Sequence, residues 1–472
     1  VYTAPMPKHP YLLIFLLSAA FFGWVHAVPA FGDPDAAYHL ELARRTAASG
    51  PVLDFPWLPF TTLADHFADH HFLYHLALIP FVGIFGDFHG LKIATVLFAA
   101  AAVAAFLFLL KTYGAKRPFL WTAPLLLAPG FVFRLLLTKA TALALAAFFL
   151  FLAALRGRNR LAVFGIAFAY VWLHGGWPIL LVVSVVDAVV RRSARLLWPA
   201  ALGLAAGLVV NPFFPENLSF YWEQIVQVAV LGRSDPGVRI GNEWYPADLG
   251  VLFFGNGFIF LPLLAAAAAF GAAIRTRQSP RAAPDAGRRR DIAVVSALAL
   301  LFLLMTLRQA RHQEYFLPLA LLAGALVAET AFAAVDLRAI WERSKACWGR
   351  LFAPILAALC VFLGAAAAFA LHEPRRVYEA RPAWTRFAGA AAWTRSHVPE
   401  GEVVFHARWD DFPQLFHRDP LHRYIAGLDP VFLHRKDPER YWLWRDIGEG
   451  RRRERLAELI AGEFGARYVF LR

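Results

Sequence analysis

The chain has 472 residues, of which 59% are hydrophobic and only 17% charged, with a mean hydropathy of +0.50; these values exclude an ordinary soluble globular protein and indicate a polytopic membrane protein. The net charge of +13 lies in short Arg and Lys clusters between apolar runs rather than along one amphipathic face, a pattern of topology that excludes a nucleic-acid-binding surface. Cys347 and Cys360 are the only cysteines, so no disulfide framework is available.

The first apolar run, Tyr11 to about Ala30, is too long for a signal-peptide core and has no clear small-residue cleavage site, which predicts a retained anchor. It is followed at once by Gly32-Asp33-Pro34-Asp35-Ala36-Ala37-Tyr38-His39. Carboxylates at the mouth of a bilayer are costly to desolvate, so Asp33 and Asp35 are functional-site candidates. The same loop, 31–89, continues with Asp54, Asp65, His66, Asp69, His70, His71 and His75. Two Asp-His pairs, Asp65-His66 and Asp69-His70, recur four residues apart, and on a helix they would share a face. Carboxylate and imidazole suit Mg²⁺, Mn²⁺ or Zn²⁺, the harder ions being favoured where oxygen ligands and substrate phosphate complete the shell. The plainer alternative is a solvated amphipathic loop.

The run 72–85 is about four turns long and carries Pro80 and Gly83, with Gly86 just beyond it. If it lies at the interface, five basic loops share the cytoplasmic side with the N-terminus: Lys111–Arg117, Arg156–Arg160, Arg191–Arg195, Arg275–Arg290 and Arg338–Arg350. The expected spans are then eleven, near 11–30, 91–110, 118–133, 140–155, 161–174, 177–190, 196–210, 249–273, 292–307, 315–334 and 351–371. The outer side receives the loop 31–89, the loop 211–248, the turn Arg308–Glu314 and everything from about 373. That tail alternates short strand-like stretches, such as Val403-Val404-Phe405 and Tyr468-Val469-Phe470-Leu471, with helical patterns. The expected architecture is an all-α membrane domain over 1–372 and a small extracytoplasmic α/β domain over 373–472.

Among the outer turns, Pro129-Gly130-Phe131-Val132-Phe133-Arg134 leads to Lys139, and cations so placed either pair with anions or snorkel. In Arg308-Gln309-Ala310-Arg311-His312-Gln313-Glu314, the guanidinium forks of Arg308 and Arg311 suit a phosphate. His174-Gly175-Gly176 marks another outer turn, where His174 would face the site.

An Asp followed by Tyr-His-Leu in the first outer loop, here Asp35 with Tyr38, His39 and Leu40, resembles the GT-C superfamily of membrane glycosyltransferases. The resemblance is strongest to the oligosaccharyltransferase catalytic subunit of archaea and bacteria. It implies a catalytic, metal-associated carboxylate at Asp35, with Asp33 as an additional acid. The family's later acidic motif is absent from 129–134, so Asp69, His70 and His71 are expected to complete a shell around a divalent cation with Asp35. The comparable family loop closes over substrates, which implies that Glu243, Trp244 and Arg239 line a cleft with His39; the alternative for these aromatics is an interfacial belt. Arg408-Trp409-Asp410-Asp411 matches two residues of the family's Trp-Trp-Asp-Tyr-Gly motif, so Trp409 and Asp410 are expected near the acceptor.

The reading that follows is an inverting, metal-assisted transfer of a sugar from a polyprenyl-phosphate carrier to a glycan, lipid or protein acceptor. It takes place on the outer face of a bacterial or archaeal cell membrane, with Arg308, Arg311, Arg134 and Lys139 on the donor phosphate. Whole-oligosaccharide transfer to protein is the alternative within that class. A transporter or flippase for a lipid-linked solute, and a silent membrane subunit, are the alternatives outside it.

Overall fold

The computed structural model describes residues 7–230, 237–238, 241–275, 285–333 and 337–472. The first helices are α1 (Pro10–His26), α2 (Asp35–Ser49), α3 (Phe72–Phe85) and α4 (Asp87–Thr112). The bent pair α5 (Pro118–Leu126) and α6 (Pro129–Leu135) follows, then α7 (Thr141–Arg156), α8 (Arg160–Leu173), α9 (Pro178–Arg191), α10 (Leu197–Val209) and α11 (Glu216–Tyr221). Next come α12 (Leu249–Phe254), α13 (Gly257–Arg275), α14 (Ala286–Arg308), α15 (Gln313–Ala333), α16 (Leu337–Trp348) and α17 (Phe352–Glu379).

Asp87–Thr112, Ala286–Arg308 and the continuous stretch Arg338–Glu379 are each long and apolar enough to cross a membrane. The pair α5 and α6 forms a further candidate span, bent by 81°, and the remaining apolar helices, α1, α3, α7, α8, α10 and the Gly257–Gly271 part of α13, are shorter. The protein is a multi-pass membrane protein. Helix α17 continues past residue 372, through the polar stretch His372–Glu379, to its end at Glu379.

Small residues set the closest helix crossing. A Cβ built on Gly207 of α10 would lie 2.7 Å from the carbonyl oxygen of Phe168 in α8, and Gly203 meets Phe164 in the same way one turn earlier. Only glycine allows that approach. At the other end of the bundle, Asp291 of α14 is buried between Arg156 of α7 and Arg191 of α9, each 2.6 Å away, and Arg191 also binds Asp187. Removing one partner there would leave a charge stranded, which costs more than the pair gains.

Beyond α17 lie α18 (Ala388–His397), α19 (Phe412–Arg418), α20 (Val431–Lys436), α21 (Pro438–Gly448) and α22 (Leu456–Phe464). They surround a three-stranded parallel sheet of β1 (Val403–His406), β2 (Arg423–Tyr424) and β3 (Tyr468–Phe470), in the order β2-β1-β3. The tail packs on the first outer loop. The Trp57 indole N–H donates to the Pro420 carbonyl at 2.8 Å, the Tyr424 N–H donates to the Trp57 carbonyl at 2.8 Å, and Arg45 of α2 stacks 4.4 Å over the Trp57 ring.

Within that loop, Asp65-His66 and Asp69-His70 do not share a helix face, because between α2 and α3 the chain makes only the short 3₁₀ turn Thr62–Ala64. The Asp69 carboxylate accepts from the His71 backbone N–H at 3.0 Å, a local bond that competes with helix. Asp65 instead turns outward to Lys436, at 2.7 Å.

Candidate active site

The central carboxylates stand at the start of α2, Asp35 as its first residue and Asp33 just before it. Asp33 Oδ1 accepts from the Asp35 backbone N–H at 2.7 Å, satisfying a helix-terminal donor. The other oxygen of Asp33 lies 3.0 Å from Lys139 Nζ, and Asp35 Oδ2 lies 2.9 Å from the same ammonium. Lys139 belongs to the short segment between α6 and α7, so the trio joins two parts of the chain remote in sequence. Tyr378 of α17 holds both in place. Its hydroxyl donates to the Leu136 carbonyl at 2.6 Å, and its ring sits so close to Gly32 that a Cβ there would fall 2.8 Å from it.

Burial, reinforced by Asp33, pushes the Asp35 carboxyl up to about 7, against the pull of Lys139. Asp35 Oδ1 is shielded and has no hydrogen-bond partner among the described residues. For Lys139, burial opposes the charge, but Asp33, Asp35 and Glu243 outweigh it and hold the ammonium well above its ordinary range.

Asp35 opens on a cavity of about 380 Å³. Its far wall is ionic. Arg134 donates to Glu314 Oε2 from Nε at 3.0 Å and from Nη2 at 2.9 Å, and reaches Glu243 at 3.4 Å. Arg311 stands 3.9 Å from Glu243 and stacks 4.3 Å over the Trp244 ring, so it is the more loosely held cation. Burial works against ionised Glu243, yet Arg311, Lys139 and Arg134 hold it well below the usual carboxylate range.

A third wall is imidazole. The His70 and His71 rings are tilted at 45° with centroids 3.9 Å apart, and His174 and His39 lie 5.5 and 5.6 Å from His71. Burial holds the His70 imidazole down to about 4 and lowers His71 and His39 well below their ordinary value, so these rings are neutral. The tail closes the roof with Leu428, Asp429 and Phe432. Asp429 accepts from the Gly241 and Val431 backbone N–H groups, at 3.5 and 3.0 Å, and burial raises it to about 7.

Of the residues singled out in the sequence, Asp35, His39, His70, His71, Arg134, Lys139, Glu243, Trp244 and Arg311 line this one cavity, and Asp33 adjoins it through Lys139. Arg308, Trp409 and Asp410 are not in its lining. Arg308 ends α14, Trp409 packs into the small core of the tail, and Asp410 is held by Arg408 and Arg472 at 3.0 and 3.3 Å. Arg239 lies outside the described residues.

The four expected metal ligands do not converge. Asp69 is buried behind the wall and receives the His75 Nδ1–H at 2.6 Å, while Asp35 faces an ammonium. Among the described residues no three carboxylate, imidazole or thiolate side chains come together as a metal-binding group. This donor set does not fit the expected divalent cation. Sequence reading also missed Asp429. An Asp between Leu428 and Pro430, in a stretch otherwise apolar from Tyr424 to Leu433, was the available signal.

Neither a protein-family model nor a curated protein sequence matches the chain. Solved structures do. The oligosaccharyltransferase of Archaeoglobus fulgidus in its apo form superposes with a TM-score of 0.59 at 14% identity, over 89% of this chain and 65% of that one. The same archaeal enzyme in complex with an inhibitory peptide and a dolichol-phosphate gives 0.57 at 14% identity, with the same coverage. ArnT from Cupriavidus metallidurans bound to undecaprenyl phosphate gives 0.53 at 16% identity, over 92% of this chain and 89% of that one. The chain thus spans about two thirds of the archaeal enzyme and most of ArnT. At these identities the common property is architecture: the chain has the fold shared by the archaeal oligosaccharyltransferase and ArnT.

Proposed function

We propose that the protein is a glycosyltransferase that moves a single sugar from a polyprenyl-phosphate carrier to an acceptor hydroxyl on the extracytoplasmic face. The observation that carries this reading is Asp35: a half-buried carboxyl raised to about 7, at the edge of a cavity whose other walls hold Lys139, Arg134 and Arg311. In this reading the acceptor oxygen attacks the anomeric carbon, and its proton passes to the Asp35 carboxylate. The bond from anomeric carbon to phosphate oxygen breaks with its electron pair on the phosphate, inverting the centre. Arg311 and Lys139 meet the charge that develops. The two neighbouring structures that hold dolichol-phosphate and undecaprenyl phosphate support a lipid phosphate as the leaving group.

Two observations favour a single sugar over a whole oligosaccharide. The cavity of about 380 Å³ is at the small end for ligand sites. Trp409 and Asp410, the pair expected to read a protein acceptor, are not in its lining. The cation that faces Asp35 in this reading is Lys139, in place of the divalent ion expected from the sequence. A transporter reading is weaker, because the charged residues gather in the outer turns rather than at mid-membrane.

The test uses the full chain in lipid vesicles with a polyprenyl-phosphate hexose. Asp35→Asn is expected to slow transfer by about 10²-fold or more while donor binding persists, and EDTA to leave the wild-type rate within twofold. Transfer by Asp35→Asn at the wild-type rate would sink the proposal.

A further inference from the structure

Of the four acidic residues in the cavity wall, three are paired with cations and one is not. Asp35 meets Lys139, and Glu243 and Glu314 meet Arg134. The fourth, Asp429, has no cationic partner among the described residues. Its Oδ1 accepts from the Val431 N–H at 3.0 Å, at the start of α20. Its Oδ2 has only the Gly241 N–H, 3.5 Å away, at the outer limit of a hydrogen bond. Asp429 lines the cavity and is only 9% exposed, so bulk water does not complete the shell of that oxygen. A buried acceptor left so lightly engaged calls for a donor from a ligand.

The backbone that delivers Asp429 is strained. The Asp429 N–H donates to the Gly427 carbonyl at 2.7 Å, closing a γ-turn around Leu428, whose φ of 64° is left-handed. This hand of γ-turn is rare, because a side chain there crowds the backbone, and leucine has no local polar bond to offset the crowding. Packing holds the turn from behind. A Cβ on Gly427 would collide with the ring of the fully buried Phe412. Leu428 lines the cavity beside Asp429. Strain of this kind persists where the surroundings impose it, and it gathers at sites that grip ligands.

We propose that Asp429 selects the sugar to be transferred, its carboxylate accepting a hydrogen bond from one hydroxyl of the donor hexose. The inference rests on the reading of the cavity as a site for a lipid-phosphate sugar. Of the parts of such a donor, only the sugar matches Asp429. A carboxylate repels the phosphate, which Lys139 and Arg311 meet in that reading, and it has nothing to bind on an isoprenoid tail. The hydroxyls of the sugar are the donors it lacks. The attacking hydroxyl of the acceptor goes to Asp35, so the two acids divide the work: one takes the proton, and the other, supplied by the tail, decides which sugar fits. A site built to accept from a hydroxyl discriminates against an analogue without it, because its own acceptor then stays buried and unpaired.

Equilibrium binding to the full chain in lipid bilayers, with no acceptor present, tests this. The probes are sugar-free polyprenyl phosphate, its glucose, mannose and galactose forms, and the monodeoxy forms of whichever hexose binds most tightly. Wild type is expected to bind one hexose lipid about tenfold more tightly than the sugar-free lipid, and to lose that gain when one particular hydroxyl is removed. Asp429→Asn keeps an oxygen for the Val431 N–H, but its amide nitrogen cannot accept. It is expected to bind that hexose lipid and its deoxy form alike, and the sugar-free lipid as wild type does. Asp429→Ser, whose hydroxyl can also accept from Val431, is the second variant, with the same expectation. A variant that discriminates as wild type does overturns the inference. So does equal weakening toward every lipid, which assigns Asp429 to holding the roof. Wild type binding sugar-free and hexose lipids alike overturns this inference alone, whereas wild type binding no lipid phosphate overturns the function proposed above and the inference with it.

Discussion

At the scale of residues, one ammonium between two carboxylates sets the chemistry. Asp35 accepts a proton only when ionised; with its carboxyl near 7, about one tenth is ionised at pH 6 and about nine tenths at pH 8. Transfer should therefore rise with pH through neutrality. Asp33 raises the Asp35 carboxyl, so removing its charge must lower it, and Asp33→Asn keeps the oxygen that accepts from the Asp35 N–H. The expected outcome is an acid limb moved to lower pH, read from the pH dependence of kcat; a limb that stays in place or moves upward would exclude the coupling. The members of the site were legible in the sequence because acids, histidines and arginines stand out beside apolar spans. Their partnerships were not. Nothing in the spacing of Asp35 and Lys139 says that they meet, and Asp69, next in line to His70, turns its carboxylate away from the cavity to His75.

At the scale of elements, apolar runs revealed the helices, because a helix in lipid needs little beyond length and hydrophobicity. The bend of 81° between α5 and α6 was harder to foresee, since 118–133 reads as one run. Pro124 and the Pro129-Gly130 step are its physical cause. The register of α8 against α10 is likewise decided by absent side chains. Gly207→Leu should force the two helices apart and cost about 2 kcal/mol, seen as a lower thermal midpoint in detergent. A variant as stable as wild type would show that the crossing has slack.

At the scale of the whole molecule, the tail and the first outer loop act as one cover, with Trp57 as their common anchor. Trp57→Ala should loosen that cover by about 2 kcal/mol and open residues 388–470 to limited proteolysis under conditions where wild type resists. Equal resistance would mean that the cover is held elsewhere. The role of Tyr378 has a consequence for biosynthesis. It belongs to the last helix of the membrane bundle, yet it pins the segments that carry both aspartates and the lysine. During translation those segments are inserted long before residue 378 emerges, and until it does they lack the clamp that sets their spacing. A chain cut short before α17 would lack the Tyr378 hydrogen bond to Leu136 and the ring that packs on Gly32.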